Sequence, residues 1–147
     1  MILKSPREQK IYEFCENGRL EPYLELVERI LDDLHAKGVK ISARYDVEFS
    51  NFEAYDIEDG KRIRISLKNV KEPLNILWVL FHEFGHFQSP KVKAGDDIVE
   101  REELAWQFAD ETLKKYPELA GFRESYEARK KWCLNTYYRK YRPPISS

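Results

Sequence analysis

The sequence predicts an α+β fold with a small antiparallel sheet, and three observations carry that prediction. Apolar residues recur at helical spacing in Tyr23, Leu24, Val27, Ile30, Leu31 and Leu34. They alternate with polar ones from Val39 to Phe49 and again through Ile63, Ile65 and Leu67, the period-two pattern of half-buried strands. The run Asn75-Ile76-Leu77-Trp78-Val79-Leu80-Phe81 is apolar enough for a buried helix and leads into His82-Glu83-Phe84-Gly85-His86. At 147 residues the chain suits one domain with one core. Within it, residues 1–38 are read as N-terminal helices, 39–116 as the sheet and central helices, 117–142 as a C-terminal helix and 143–147 as a frayed tail.

Each element has its own signal. From Pro6 to about Asn17, Ile11, Tyr12, Phe14 and Cys15 form a helical pattern, and Asn17-Gly18 is the expected stop. The Tyr23–Leu34 segment sets Glu25, Glu28, Asp32 and Asp33 opposite its apolar face, and Gly38 closes it. His35, near its end, reads as a surface residue favoured by the helix dipole. Asn51 to Tyr55 forms a further candidate strand, and Asp59-Gly60 is a turn signal before the Ile63–Leu67 strand. Successive short strands joined this way suggest antiparallel pairing. The motif helix starts near Glu72-Pro73, since proline fits a first helical turn. Ser89 to Asp97, with Pro90 and Gly95, reads as a loop in which Lys91 and Lys93 are solvated. Another helix starts at Asp96 or Asp97 and ends before Pro117, and a last one runs from Phe122 to Tyr141.

Composition excludes some function classes. A formal net charge of −1 leaves no electrostatic footprint for nucleic acid or an anionic membrane. In the last helix Tyr126, Trp132, Leu134, Tyr137, Tyr138 and Tyr141 interleave with Arg123, Arg129, Lys130, Lys131, Arg139, Lys140 and Arg142. That pattern fits either a nucleic-acid contact or packing plus a solvated face; the acidic remainder of the chain favours packing. No run approaches the roughly 18 apolar residues of a membrane span, and the first residues lack a signal-peptide core, so a cytoplasmic location is expected. Cys15 and Cys133 lack metal spacing and read as isolated thiols.

The chemistry lies in the H-E-x-x-H motif. Positions i and i+4 share a helix face, so His82 and His86 can offer both imidazoles to one metal ion, with Glu83 reaching the edge of the same site. Such a pair can also be two core histidines or two on a solvent face, but two of the chain's three histidines fall inside this motif. Neutral imidazoles suit Zn²⁺, and a neighbouring carboxylate can take a proton from an activated water. Gly85 inside a helix costs roughly 1 kcal/mol against alanine, which calls for a packing or access reason.

A catalytic zinc usually takes three protein ligands. Around the following helix, Ile98, Ala105, Ala109 and Thr112 form the inward stripe at about 100° per residue. Glu102 lands beside Ala109 at its edge, Glu103 points away and Glu100 lies on the far flank, so Glu102 is the expected third ligand. The competing reading is that these acids decorate a helix N-terminus, and it suits Glu103.

The motif followed one loop later by Glu102-x-x-Ala105-Trp106-x-Phe108-Ala109 resembles the ImmA/IrrE group of small zinc metallopeptidases, over roughly Val39 to Leu113. The resemblance implies a gluzincin-like domain with a small twisted sheet packed against the H-E-x-x-H helix. By motif position it makes His82, His86 and Glu102 the metal ligands and Glu83 the general base. Several members of that group cut a helix-turn-helix repressor at one bond. Two departures stand out: Trp106 replaces an asparagine, and Thr112-Leu113-Lys114-Lys115 replaces a Leu-Leu-Met-Pro ending.

The expectation is thus a Zn²⁺-dependent endopeptidase making specific cuts in an intracellular protein, with a separately encoded helix-turn-helix regulator as a candidate partner and no direct contact with nucleic acid or membrane. The rival is a non-enzymatic interaction protein whose metal is structural and whose final helix binds a partner; another zinc hydrolase chemistry on the same ligands also stays open. Tyr126, Arg129 and Tyr55 have side chains suited to stabilising an oxyanion, and the sequence does not choose among them.

Overall fold

The computed structural model describes residues 6–44, 51–53, 61–67, 71–90 and 95–142. It comprises two compact units, Met1–Leu77 and Trp78–Ser147.

In the first unit, α1 (Pro6–Gly18) and α2 (Leu24–Ala36) pack together and a 3-10 turn, Glu21–Tyr23, joins them. Their shared core holds Ile11, Phe14, Cys15, Val27, Ile30, Leu31 and Leu34 as the spacing predicts, but Tyr12 is exposed, Tyr23 and Leu24 are only partly covered, and Leu26, outside the predicted stripe, is buried. The stop of α1 differs in detail from the expectation. Arg19, not Gly18, takes the left-handed conformation (φ 57°), and Leu20 N–H donates to the Cys15 carbonyl at 2.7 Å, closing the helix in a Schellman turn. Gly18 is needed for space: a Cβ there would lie 2.8 Å from the Ile76 side chain. Gly38 (φ 87°) turns the chain from α2 into the sheet, as expected.

The sheet corrects the predicted fold class. It has three strands, β1 (Val39–Arg44), β2 (Asn51–Glu53) and β3 (Lys61–Ser66), in the order β1-β3-β2. β2 is antiparallel to β3, with Phe52 opposite Ile63, but β1 runs parallel to β3, with Ile41 opposite Ile63. The sheet is therefore mixed, not antiparallel. Alternation dictates which face a side chain takes, and β3 obeys it: Ile63 and Ile65 are buried while Arg62 and Arg64 are not. Alternation carries no information on strand direction or partner, so nothing in the residues foretold β3 inserting between its two predecessors. With five α-helices among the described residues, the chain is mainly helical and α+β only in a loose sense. Residues 45–49 of the first predicted strand, the Asp59-Gly60 turn, Tyr55, Lys91, Lys93 and the 143–147 tail lie outside the described residues.

α3 (Leu74–Gln88) crosses the boundary, and the second unit takes it up from Trp78. It continues with α4 (Ile98–Lys114), a 3-10 segment (Pro117–Phe122) and α5 (Arg123–Tyr141). An aromatic core holds the second unit together. Trp78 meets Tyr126 edge-on at 5.5 Å, Phe81 stacks on Tyr116 at 5.9 Å, and Trp106 meets Tyr126 at 5.7 Å. Such pairs add about 0.5–1.5 kcal/mol each beyond area burial, enough to fix where the helices cross. The Trp78 indole N–H donates to Ser125 Oγ at 3.0 Å and the Tyr126 hydroxyl to Asp110 at 2.6 Å, whereas the Trp106 indole nitrogen is buried without a hydrogen-bond partner. No helix among the described residues is long and apolar enough to cross a membrane.

Candidate metal centre

Three local features bring the predicted ligands together. Asp97 caps α4, its carboxylate accepting from Val99 N–H at 2.8 Å and Glu100 N–H at 3.1 Å, which fixes the helix start and hence its register. The buried stripe is then Val99, Glu102, Ala105, Trp106, Ala109, Thr112 and Leu113. Ile98, expected on that stripe, is 39% exposed because it sits at the first position past the cap and Val99 takes the inward place. The shift moves Glu102 from the edge of the stripe to its middle. The second feature is Gly85, against which the Ala105 backbone lies directly. A Cβ on Gly85 would collide with the Ala105 carbonyl oxygen and come within 2.9 Å of its carbon. Only glycine lets α3 and α4 touch backbone to backbone there. The third is the helical spacing itself, which brings the two motif histidines side by side, ring centroids 4.7 Å apart and planes tilted by 57°.

As a result His82, His86 and Glu102 offer ligand atoms that all lie within 4.8 Å of one another, a group that could hold a metal ion. Glu102 Oε2 accepts from His82 Nε2 at 2.7 Å and from His86 Nε2 at 3.2 Å, and Oε1 lies 3.1 Å from the same His86 nitrogen. A carboxylate only accepts, so the imidazole nitrogens donate. His82 and Glu102 are nearly buried, at 8% and 7% exposure. The charges adjust accordingly. Burial pushes the His82 pKa down against the pull of Glu102. Burial acts the same way on His86, but there the hydrogen bond and charge of Glu102, with Glu83, prevail and raise it. Burial would raise Glu102, yet the two histidine hydrogen bonds outweigh it and bring the carboxyl down to about 2. The carboxylate thus stays charged. Two imidazoles and one carboxylate, converging in a buried place and hydrogen-bonded to one another, are a donor set that a divalent cation such as zinc fits.

Glu83 is buried beside the cluster, its Oε1 3.6 Å from His82 Nδ1, and it is not one of the three converging groups. Glu103, half-buried, instead accepts from the Tyr138 hydroxyl at 3.0 Å, and Glu100 is exposed in the first turn. Of the oxyanion candidates, Tyr126 is committed elsewhere, its hydroxyl donating to Asp110 at 2.6 Å. Arg129 has a buried Nε without a hydrogen-bond partner, and its charge reaches His82.

One feature of the site carries no signal in the sequence. Trp106, where the resembled motif has an asparagine, is buried and stacks on the His82 ring at 4.5 Å with the planes 6° apart. On α5, burial and the charge of Glu102 push the Tyr137 phenol up to about 12.

Neither the known family models nor the curated proteins nor the solved structures include one that matches this chain.

Proposed function

We propose that this chain is a zinc-dependent endopeptidase of the cytoplasm that makes specific cuts in a protein substrate, with a separately encoded helix-turn-helix regulator as the leading candidate. The observation that carries the reading is the convergence of His82, His86 and Glu102 with a fourth group, Glu83, buried at their side and left out of the ligand set. A carboxylate at that place is positioned to act as a base toward a water at the site.

In this reading the two imidazoles and Glu102 hold the metal, which when bound supplies a Lewis acid able to bring the pKa of a water to near 7 and to polarise a carbonyl. Glu83 accepts one proton from the attacking water as its oxygen adds to the carbonyl carbon. It then returns that proton to the amine nitrogen as the C–N bond breaks, leaving a carboxylate product and an amine. Trp106, pressed flat on His82, keeps that ring from rotating and keeps water from its face.

The test pairs zinc content with cleavage of candidate regulators by wild type and Glu83→Gln. A peptidase keeps its zinc in the variant and loses turnover, by at least about a hundredfold for removal of a general base. An interaction protein with a structural metal keeps both its zinc and its partner binding, and cuts nothing in either form. General digestion of casein at many sites by wild type would retain the chemistry and remove the specificity.

A further inference from the structure

Tyr126 is fully buried, yet its hydroxyl is committed to Asp110 and takes no part in the chemistry above. Its ring sits where three helices meet. From α5 it meets Trp78 of α3 edge-on, with centroids 5.5 Å apart and planes at 83°, and Trp106 of α4 at 5.7 Å and 66°. Trp78 lies one helical turn before His82 on the same face of α3, and Trp106 stacks flat on the His82 ring at 4.5 Å with the planes 6° apart. Among the described residues, two hydrogen bonds are missing from this arrangement. The Trp106 indole nitrogen is buried without a partner, so packing alone holds that ring. The second nitrogen of His82, Nδ1, lies 3.6 Å from Glu83 Oε1, too far for a hydrogen bond. A metal-bound imidazole is commonly oriented through a bond on that second nitrogen.

We propose that Tyr126 is a positioning residue of the metal centre, acting through Trp106: the aromatic stack, in place of a hydrogen bond on Nδ1, holds the His82 ring with Nε2 toward His86 and Glu102. The proposal rests on the metal-binding part of the reading above and is independent of whether any peptide is cut. Rotation of the His82 ring about its Cβ–Cγ bond would carry Nε2 out of the ligand set. A flat indole against the imidazole blocks that rotation, because turning drives a ring edge into atoms that are already close-packed. The block lasts only while the indole stays in place. Without a hydrogen bond of its own, Trp106 takes its position from the Tyr126 ring, which Trp78 confines in turn. The Tyr126 hydroxyl has a separate duty. It donates to Asp110 at 2.6 Å, and Asp110 also accepts from Lys130 Nζ at 2.9 Å, which ties α5 to α4. Ring and hydroxyl can therefore be told apart by substitution. Outer supports of a metal ligand are worth about 10- to 100-fold in metal affinity.

Tyr126→Phe keeps the ring and loses the bond to Asp110, whereas Tyr126→Leu and Tyr126→Met fill part of the space without an aromatic edge, two variants guarding against one that does not fold. Zinc dissociation constants measured by chelator competition should stay within about threefold of wild type in Tyr126→Phe and rise about 10- to 100-fold in Tyr126→Leu and Tyr126→Met. Thermal midpoints of the metal-free proteins should fall in all three, so affinity and stability part company in Tyr126→Phe. Proton NMR of the metal-free protein at alkaline pH reads the stack itself. The carbon-bound ring protons of His82 should lie upfield of those of the exposed His35 in wild type and Tyr126→Phe, and move toward them in Tyr126→Leu and Tyr126→Met. Wild-type affinity in Tyr126→Leu or Tyr126→Met overturns the role of Tyr126. So does a loss of affinity in Tyr126→Phe as large as theirs, which would mark general loosening of α5, and so do His82 resonances that coincide with those of His35 in wild type. Wild type that takes up no zinc overturns the metal centre itself, and the role of Tyr126 with it.

Discussion

Glu102 accepts from two imidazoles at once, and its carboxyl falls to about 2 in consequence. A carboxyl depressed on folding from 4.5 stabilises the native state fully above that value and loses the effect as pH falls toward 2. Its side chain is only 10% exposed, so the stabilisation reaches about 3 kcal/mol; the His86 shift reflects the same contact and is not added. His86, raised, contributes below 6.5 and loses that as pH climbs through its folded value. His82, lowered, opposes it: protonation below 6.5 favours the unfolded chain. The two histidines act in opposite directions, and the acid limb carries the clear signal. Urea midpoints of the metal-free protein should therefore fall more steeply between pH 4.5 and 3 in wild type than in Glu102→Gln. Parallel curves would mean that the histidine contacts hold no free energy. The same residues set the metal: His82→Ala, His86→Ala and Glu102→Ala should each lose most bound zinc, whereas Glu103→Ala, whose carboxylate serves Tyr138, should retain it. Zinc retained in Glu102→Ala and lost in Glu103→Ala would place the α4 register one residue off.

At the scale of elements, the crossing of α3 and α4 depends on one missing side chain. Gly85→Ala gains roughly 1 kcal/mol of helix propensity, so any net loss must come from the Ala105 backbone that the new Cβ meets. The expected result is a destabilisation of about 1–3 kcal/mol, the usual range for overpacking, together with loss of zinc as Glu102 is carried away from the histidines. A more stable Gly85→Ala protein with zinc intact would show that the helices are free to slide apart. This glycine also shows what the sequence could and could not convey. Its presence in a helix demanded a packing reason, and the reason was found; the partner, Ala105, could not be named, since it depends on two helices meeting. Glu102 was chosen over its neighbours by periodicity although one anchor of the wheel, Ile98, was misplaced. Short-range rules of spacing and capping thus reach the three side chains that converge. Strand direction in the sheet and the stacking of Trp106 on His82 depend on pairings between distant segments, for which a single sequence holds no local signal.

At the scale of the whole molecule, all three side chains of the candidate metal centre and all three tryptophans, Trp78, Trp106 and Trp132, belong to the unit Trp78–Ser147. Tryptophan fluorescence therefore reports on the unit that would hold the metal, while far-ultraviolet circular dichroism reports on helices of both. A ligand that binds only the folded state stabilises it by about 2.7 kcal/mol at a free concentration of 100 times Kd. With zinc at that concentration, the fluorescence-detected urea transition should move by that amount divided by its slope, and Glu102→Ala should abolish the shift. Trp106 adds a second signal, because its indole stacks on His82 and any change in that ring's charge alters its surroundings. Zinc should change the emission before any denaturant is added, and Trp106→Phe, which keeps a stacking ring, should lose most of that change while retaining the stability shift. A zinc-induced shift seen by dichroism with none in tryptophan fluorescence would put the metal in residues 1–77, away from the H-E-x-x-H motif, and would remove the structural basis of the peptidase reading.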